Sequence, residues 1–459
     1  MEASRTDCLV IGGGAAGAAL ALFLARRGVS VTLVDDGRAH YSGPFETVLA
    51  NTRATWERLG VLDGVEDGVE EDPLRHGALW GDAQLRWRDD PEPGLLLRRG
   101  RFDRSLRRAA AAAGADVHEA TRAVRVGDAW HLGDKTTKPR LVAYATGRRQ
   151  GVPGLASYTR SETRTVSVTL EGTPFDADRG TAVVEACRGG WLWSYAPEEG
   201  PATAAALLDA PGGRGGLRAA IEALLQSALG PGGRLRERRL LRANDASPRL
   251  RAATGDALLL GDCAATIDPL ASQGVEKAVA AAEPAATVIC SALEEPRWWP
   301  RLVRAHALWE RDLCAAHWRT SASFYSEERR FEDAPFWAAR RAAADVFSDP
   351  SPPPPGQLLR WREGSQPGRA LLRHGDRFVE VDGLVDPATR DEVARAGRIA
   401  PASLFELIVR ERSIEGALAA AASDARFLTS SPRDLSDALH WLHAKGWLVS
   451  AQASAPAGR

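Results

Sequence analysis

Lysine is nearly absent from this chain. Of its 59 basic residues only Lys135, Lys138, Lys277 and Lys445 are lysines; the others are arginines. Chemistry that needs an ε-amino group therefore has four positions to draw on. Cysteine is sparse too. Cys8, Cys187, Cys263, Cys290 and Cys314 are scattered, with no CxxC pair and no metal-like spacing to histidine. That excludes a disulfide framework and a zinc site, and fits reduced thiols in a cytoplasmic protein. No apolar run reaches membrane-spanning length, because 275–293 is broken by Glu276, Lys277, Glu283 and Pro284. A first strand beginning near residue 7 leaves no room for a signal peptide. A net charge of −1 over 459 residues provides no global field for nucleic acid or an anionic membrane. The length allows two or three domains.

What is present begins with Cys8-Leu9-Val10-Ile11-Gly12-Gly13-Gly14-Ala15-Ala16-Gly17, followed by an alanine-rich apolar helix and a short strand, 29–34, ending at Asp35. Strand, glycine turn, helix, strand and acid fall within one unit of about thirty residues, as a dinucleotide fold requires. Gly12 permits the tight turn, Gly14 leaves room for a pyrophosphate, and Gly17 lets the helix pack on the strand. Ala15 and Ala16 open the helix, whose N–H groups and dipole attract phosphate. Asp35 is placed to accept from a ribose diol. The bland alternative is a βαβ packing turn.

Three further segments narrow the dinucleotide. Arg99-Gly100-Arg101-Phe102-Asp103 opens a helix reaching about 113. Leu141-Val142-Ala143-Tyr144-Ala145-Thr146-Gly147 is an apolar strand with a glycine end. Leu258-Leu259-Leu260-Gly261-Asp262 is followed by Asp268-Pro269-Leu270-Ala271-Ser272-Gln273-Gly274-Val275 and a helix. In this order they resemble the flavoprotein monooxygenases of the p-hydroxybenzoate hydroxylase group, which includes flavin-dependent halogenases. The resemblance implies an α/β fold: a Rossmann-like FAD-binding domain of the GR2 type with an inserted β-sheet substrate domain. It implies Arg99 near the FAD pyrophosphate, Gly147 in a cofactor loop, Asp262 on the ribitol chain, Pro269 beside the ring, and Gln273, Gly274 and Val275 facing the isoalloxazine. FAD, O2 and NAD(P)H or another external reductant are the implied cofactors.

The expected core is 1–350. Its FAD-binding parts are about 1–70, 95–160 and 240–300, its substrate parts about 71–94 and 161–239, and a helical segment covers 300–350. Asp209 to Gly216 lacks the GxGxxG spacing and reads as a strand–helix loop. The substrate region carries Gly190-Trp191-Leu192-Trp193-Ser194-Tyr195-Ala196-Pro197, a softened form of the halogenase Trp-x-Trp motif; two tryptophans on one strand face are equally ordinary core. Halogenases also need a substrate-side lysine. Lys135 and Lys138 read as a polar loop, Lys277 follows the flavin-facing turn, Lys445 is near the C-terminus, and the matching segment carries His76. The resemblance then implies hydroxylation of an electron-rich ring by a flavin C4a-hydroperoxide. His76 is the candidate proton carrier, Glu46 matches a position near the flavin edge, and Trp191 and Trp193 line the substrate. A structural histidine and a solvated glutamate are the plain alternatives.

A nearer resemblance is carried by Ala78-Leu79-Trp80-Gly81, Asp245-Ala246-Ser247 and Tyr325 to Trp337. It is to flavoproteins that mature tryptophylquinone enzymes, the one serving quinohaemoprotein amine dehydrogenase among them. It implies as partner an aromatic substrate, a tryptophan within a peptide or protein included. A proline-rich linker, 351–356, precedes a small helical, winged-helix-like domain at 357–459. Its last helix lacks a basic cluster, which argues against DNA; passive cover for the core and peptide capture by strand addition both stay open. A halogenase, a non-catalytic peptide-binding flavoprotein and an isoprenoid-type reductase are the alternative functions.

Overall fold

A computed structural model describes residues 4–37, 46–71, 74–88, 94–148, 157–159, 165–209, 213–246, 249–251, 258–346, 353–354, 356–427 and 429–451. The chain forms two compact units, one of 1–293 and 306–347, the other of 294–305 and 348–459.

The first unit starts from strand β1 (Ser4–Ile11), helix α1 (Ala15–Arg26) and strand β2 (Val31–Val34). Cys8 to Val10 of β1 and all of β2 are buried, as a sheet covered on both faces requires. β1 pairs in parallel with β2 on one side and with β3 (Lys135–Tyr144) on the other. Asp116–His118 extends the parallel sheet beyond β2, and Leu258–Leu259 pairs with the end of β3. Helix α2 (Arg99–Ala112) packs against α1.

Lys135 and Lys138 belong to β3, not to a loop. The first part of β3 pairs antiparallel with Ala129–Leu132 at a solvated end of the sheet, so its outward positions are polar. Pro139 lies beyond that ladder, which ends at Thr137, where its missing N–H costs no bond to that neighbour.

A second sheet has seven strands. Its centre is β4 (Thr165–Thr173), β5 (Thr181–Cys187), β6 (Gly190–Ala196) and β7 (Ala202–Asp209). β8 (Arg236–Asp245) pairs with β4 at one edge, so this sheet runs about six residues past the expected boundary at 239. Arg75–Leu79 runs parallel to β5 at the other side. Alternation gives the sheet two different faces. Leu192, Leu208, Val168 and Leu170 point to the helix Gly213–Ser227, while Trp191 and Leu207 point to the opposite side. Between β7 and that helix, residues 210–212 lie outside the described set.

Two helices complete the part that carries the site, α3 (Gly274–Ala280) and α4 (Trp299–Glu327).

The second unit holds the hairpin Gln366–His374 with Arg377–Asp386, the strand pair Leu359–Trp361 with Leu448–Ser450, and helices α5 (Pro401–Glu411), α6 (Ile414–Ala421) and α7 (Pro432–Ala444). α7 begins where Ser431 caps it. The Ser431 hydroxyl accepts from Asp434 N–H, and the Asp434 carboxylate accepts from Ser431 N–H, with Pro432 at the first helical position. Leu435, Ala438, Leu439 and Leu442 then share one buried stripe. Trp361 stacks on Phe405 at 5.4 Å. Of the expected linker 351–356, residues 351, 352 and 355 lie outside the described set.

Leu442 is fully buried in this core. Leu442→Ala is expected to destabilise the second unit by about 2–5 kcal/mol, read by urea or thermal unfolding.

Candidate functional site

The loops that follow β1, β2, β3 and Leu258–Leu259 leave the parallel sheet at its carboxyl edge, where open α/β sheets bind ligands. Gly12 takes φ +110°, and a Cβ there would stand 2.4 Å from the Ala145 carbonyl oxygen. A Cβ on Gly17 would stand 1.9 Å from the Gly12 carbonyl oxygen. Both glycines are therefore required by close approach. Gly14 differs: a Cβ there would meet nothing within 4 Å. It is the N-cap of α1, with no side-chain cap and no acid in the first turn, and Ala15 and Ala16 follow it. A helix start with open space before it and no competing anion fits a pyrophosphate. Asp35 accepts from Gly13 N–H and Gly37 N–H, both at 2.9 Å. These bonds aim its carboxylate and leave it acceptor capacity for a ribose diol.

Gly147 follows β3, and Asp262 sits in the turn Gly261–Cys263. Arg148 donates Nε–H to Asp262 at 2.9 Å, and the Thr146 hydroxyl and Cys263 thiol are hydrogen-bonded across the same two loops. Arg107, on α2, donates to the Gly13 carbonyl at 2.9 Å. Sequence reasoning gave neither Arg107 nor Arg148 a role, although Arg148 directly follows Gly147 in the second segment. Arg99 and Glu46, singled out separately, form an ion pair at 2.9 Å, and Arg99 also holds Asp103 at 3.2 Å. Burial lifts the Asp103 carboxyl above the usual range against the pull of Arg99.

The turn Pro269–Ala271 is capped by Asp268, which accepts from Leu270 N–H at 2.9 Å. The other Asp268 oxygen accepts from the Tyr325 hydroxyl at 2.8 Å, and the Tyr325 oxygen accepts from the Trp191 indole N–H at 3.0 Å. Burial raises the carboxyl of Asp268 and the phenol of Tyr325 above their ordinary values. Gln273 accepts from His317 Nδ1–H at 2.7 Å; burial, then Lys277, pulls that imidazole below its usual value. Gly274 is exposed and Val275 buried.

Trp191, Trp193 and Tyr195 alternate onto one face of β6. His76 shares that face through Ala182, the residue that pairs with both His76 and Tyr195. Trp191 is buried, and Trp193 is half-buried beside Tyr195 at 5.8 Å between ring centroids. Trp80, Phe331, Phe336 and Trp337 pack around Trp191 and Tyr325. The structure thus places Trp191 in the chain that reaches Asp268. His76 lies two strands from β6, and Glu46 is engaged by Arg99. Among the described residues, no group of three or more His, Cys, Asp or Glu could hold a metal ion, and no helix is long and apolar enough to cross a membrane.

Residues 5–153 match the family described as FAD binding domain. A search of curated proteins finds no match. Among solved structures, the chain is similar to the peptidyl tryptophan dihydroxylase QhpG, essential for tryptophylquinone cofactor biogenesis. The TM-score is 0.67 at 22% identity, over 96% of this chain and 100% of that one. It is also similar to CmlS, a flavin-dependent halogenase, with TM-score 0.66 at 19% identity over 99% and 97% of the two chains. The myxobacterial chondrochloren halogenase CndH gives 0.57 at 22% identity over 75% and 89%. Residues 5–153 thus match an FAD-binding domain, and the chain shares the fold of these three flavin-dependent enzymes.

The two kinds of glycine separate binding from folding. Gly14→Ala is expected to leave the melting temperature of the apoprotein unchanged and to weaken FAD binding at least tenfold in a fluorescence titration. Gly17→Ala is expected to lower the melting temperature itself.

Proposed function

We propose that this protein is an FAD-dependent monooxygenase that hydroxylates an aromatic ring, with a tryptophan in a peptide or protein as the preferred substrate. The observation that carries this reading is the bonded chain Trp191–Tyr325–Asp268, which ties an aromatic sheet face to the turn holding Pro269. An aromatic wall selects a flat apolar ring by stacking and edge contacts. The likeness to QhpG, named as a peptidyl tryptophan dihydroxylase, supports the same substrate class.

In this reading Gly12, Gly14, Ala15, Ala16 and Gly17 hold the FAD pyrophosphate with Arg99, and Asp35 holds a ribose. Gly147 and Asp262 hold the ribitol side, and Pro269, Gln273, Gly274 and Val275 border the ring. Bound and reduced FAD supplies the activation of O2; NAD(P)H or another external reductant supplies two electrons, one oxygen atom enters the ring and the other leaves as water. The protein's part is to exclude water, orient the ring and handle protons. Trp191 and Trp193 orient the ring, and Glu46 lies toward the flavin edge. His76 on the same sheet face is the proton carrier.

A second reading, halogenation, has the likeness to CmlS behind it. The lysines weigh against it. Lys135 and Lys138 lie on β3, in a different sheet from β6, Lys277 is buried in α3, and Lys445 follows α7.

Mass spectrometry of a tryptophan-containing peptide incubated with the protein, FAD, a reductant, 18O2 and chloride decides between them. The expected product carries labelled oxygen on the indole. A chlorinated product would replace hydroxylation by halogenation, and neither change would remove a peptidyl tryptophan as the substrate.

A further inference from the structure

The segment that carries Asp262 leaves the sheet after Leu259, so its carbonyl groups lose their strand partners and need other donors. Side chains supply part of them, beside the Ala264 N–H that donates to the Gly261 carbonyl at 3.1 Å. The buried His306 donates Nε2–H to the Leu259 carbonyl at 3.0 Å. Lys277 Nζ donates to the carbonyls of Gly261 at 3.2 Å and Ala265 at 3.0 Å, on either side of Asp262. The same ammonium faces Glu310 at 3.1 Å, and both side chains are nearly sealed, 1% and 2% exposed. Burial holds the His306 imidazole below its usual value, which keeps it a neutral donor.

A buried ion pair is weak support for stability, because desolvation cancels much of its attraction. A well-packed apolar pair could fill this volume. It could not bind two carbonyl groups of one turn.

We propose that Lys277 is a positioning residue of the flavin site: its ammonium, balanced by Glu310, fixes the Gly261–Ala265 turn in the shape that presents Asp262. The inference rests on the reading of Asp262 as an FAD ligand.

The test compares Lys277→Met, Lys277→Met with Glu310→Leu, and Asp262→Ala. For each apoprotein the melting temperature and the FAD affinity by flavin fluorescence are measured. Lys277→Met alone leaves an uncompensated carboxylate and is expected to lower both. The double variant is expected to regain the melting temperature of the unmodified protein yet bind FAD at least tenfold more weakly, with faster release. Recovery of both quantities in the double variant would overturn the proposal and leave Lys277 as a plain partner of Glu310. Undiminished FAD binding by Asp262→Ala would instead overturn the underlying assignment of Asp262, and the proposal with it.

Discussion

The flavin half of this protein depends on how closely α1 approaches the end of β1. Gly17 rests on the Gly12 carbonyl, and Gly12 in turn lies against Ala145 at the end of β3. Gly261 is drawn into the same node, since a Cβ there would lie 2.8 Å from the Ala16 methyl. These three close approaches gather loops from three strands to one place. Close packing leaves no slack for even one added methyl group at these points. Gly14, on the open side of the turn, is free of that constraint.

The second organising element is α4. Its residues at helical spacing reach several points of the stretch from Leu259 into α3. His306 meets the Leu259 carbonyl, Glu310 meets Lys277, and Cys314 and Trp318 meet the Thr266 carbonyl. His317 then meets Gln273, and Tyr325 meets Asp268. A segment with little regular structure of its own is thus held by a helix that has it. Rigid support of this kind is what a binding loop needs to keep its donors aimed.

The parts legible in the sequence are those whose logic is local. Gly12, Gly14, Gly17 and Asp35 lie in one βαβ unit, where spacing alone carries the geometry. Trp191 and Trp193 show their shared face through period two. The long-range pairings left no such trace. Arg99 meets Glu46 across 53 residues, and Tyr325 joins Asp268 and Trp191 across 57 and 134. Tyr325 opens the run 325–337 and Asp268 opens the turn before Gln273, yet nothing in either run names the other. Lys135 and Lys138 read as loop because a solvated strand end has loop-like composition. On α4, a stripe of His, Glu, Cys and Tyr resembles a solvated face until its partners are known.

The aromatic face sets a limit on how a substrate could be recognised. The Trp191 indole N–H is committed to Tyr325, whose hydroxyl proton is committed to Asp268. Neither group has a hydrogen left to offer a ligand, and Trp191 is buried, so this face presents the half-buried Trp193 as ring surface. Removing the Tyr325 hydroxyl would leave a buried indole N–H and a buried carboxyl oxygen without this partner, which costs more than the bonds themselves contribute. The chain is thus locked for shape rather than poised to bind polar groups. In the proposed reaction, discrimination on this face comes from ring size and planarity, and polar selection falls to groups outside it. A packing wall rejects a misfit by volume and accepts any ring of the right outline. That is the behaviour wanted for an aromatic side chain whose identity is defined by the peptide around it.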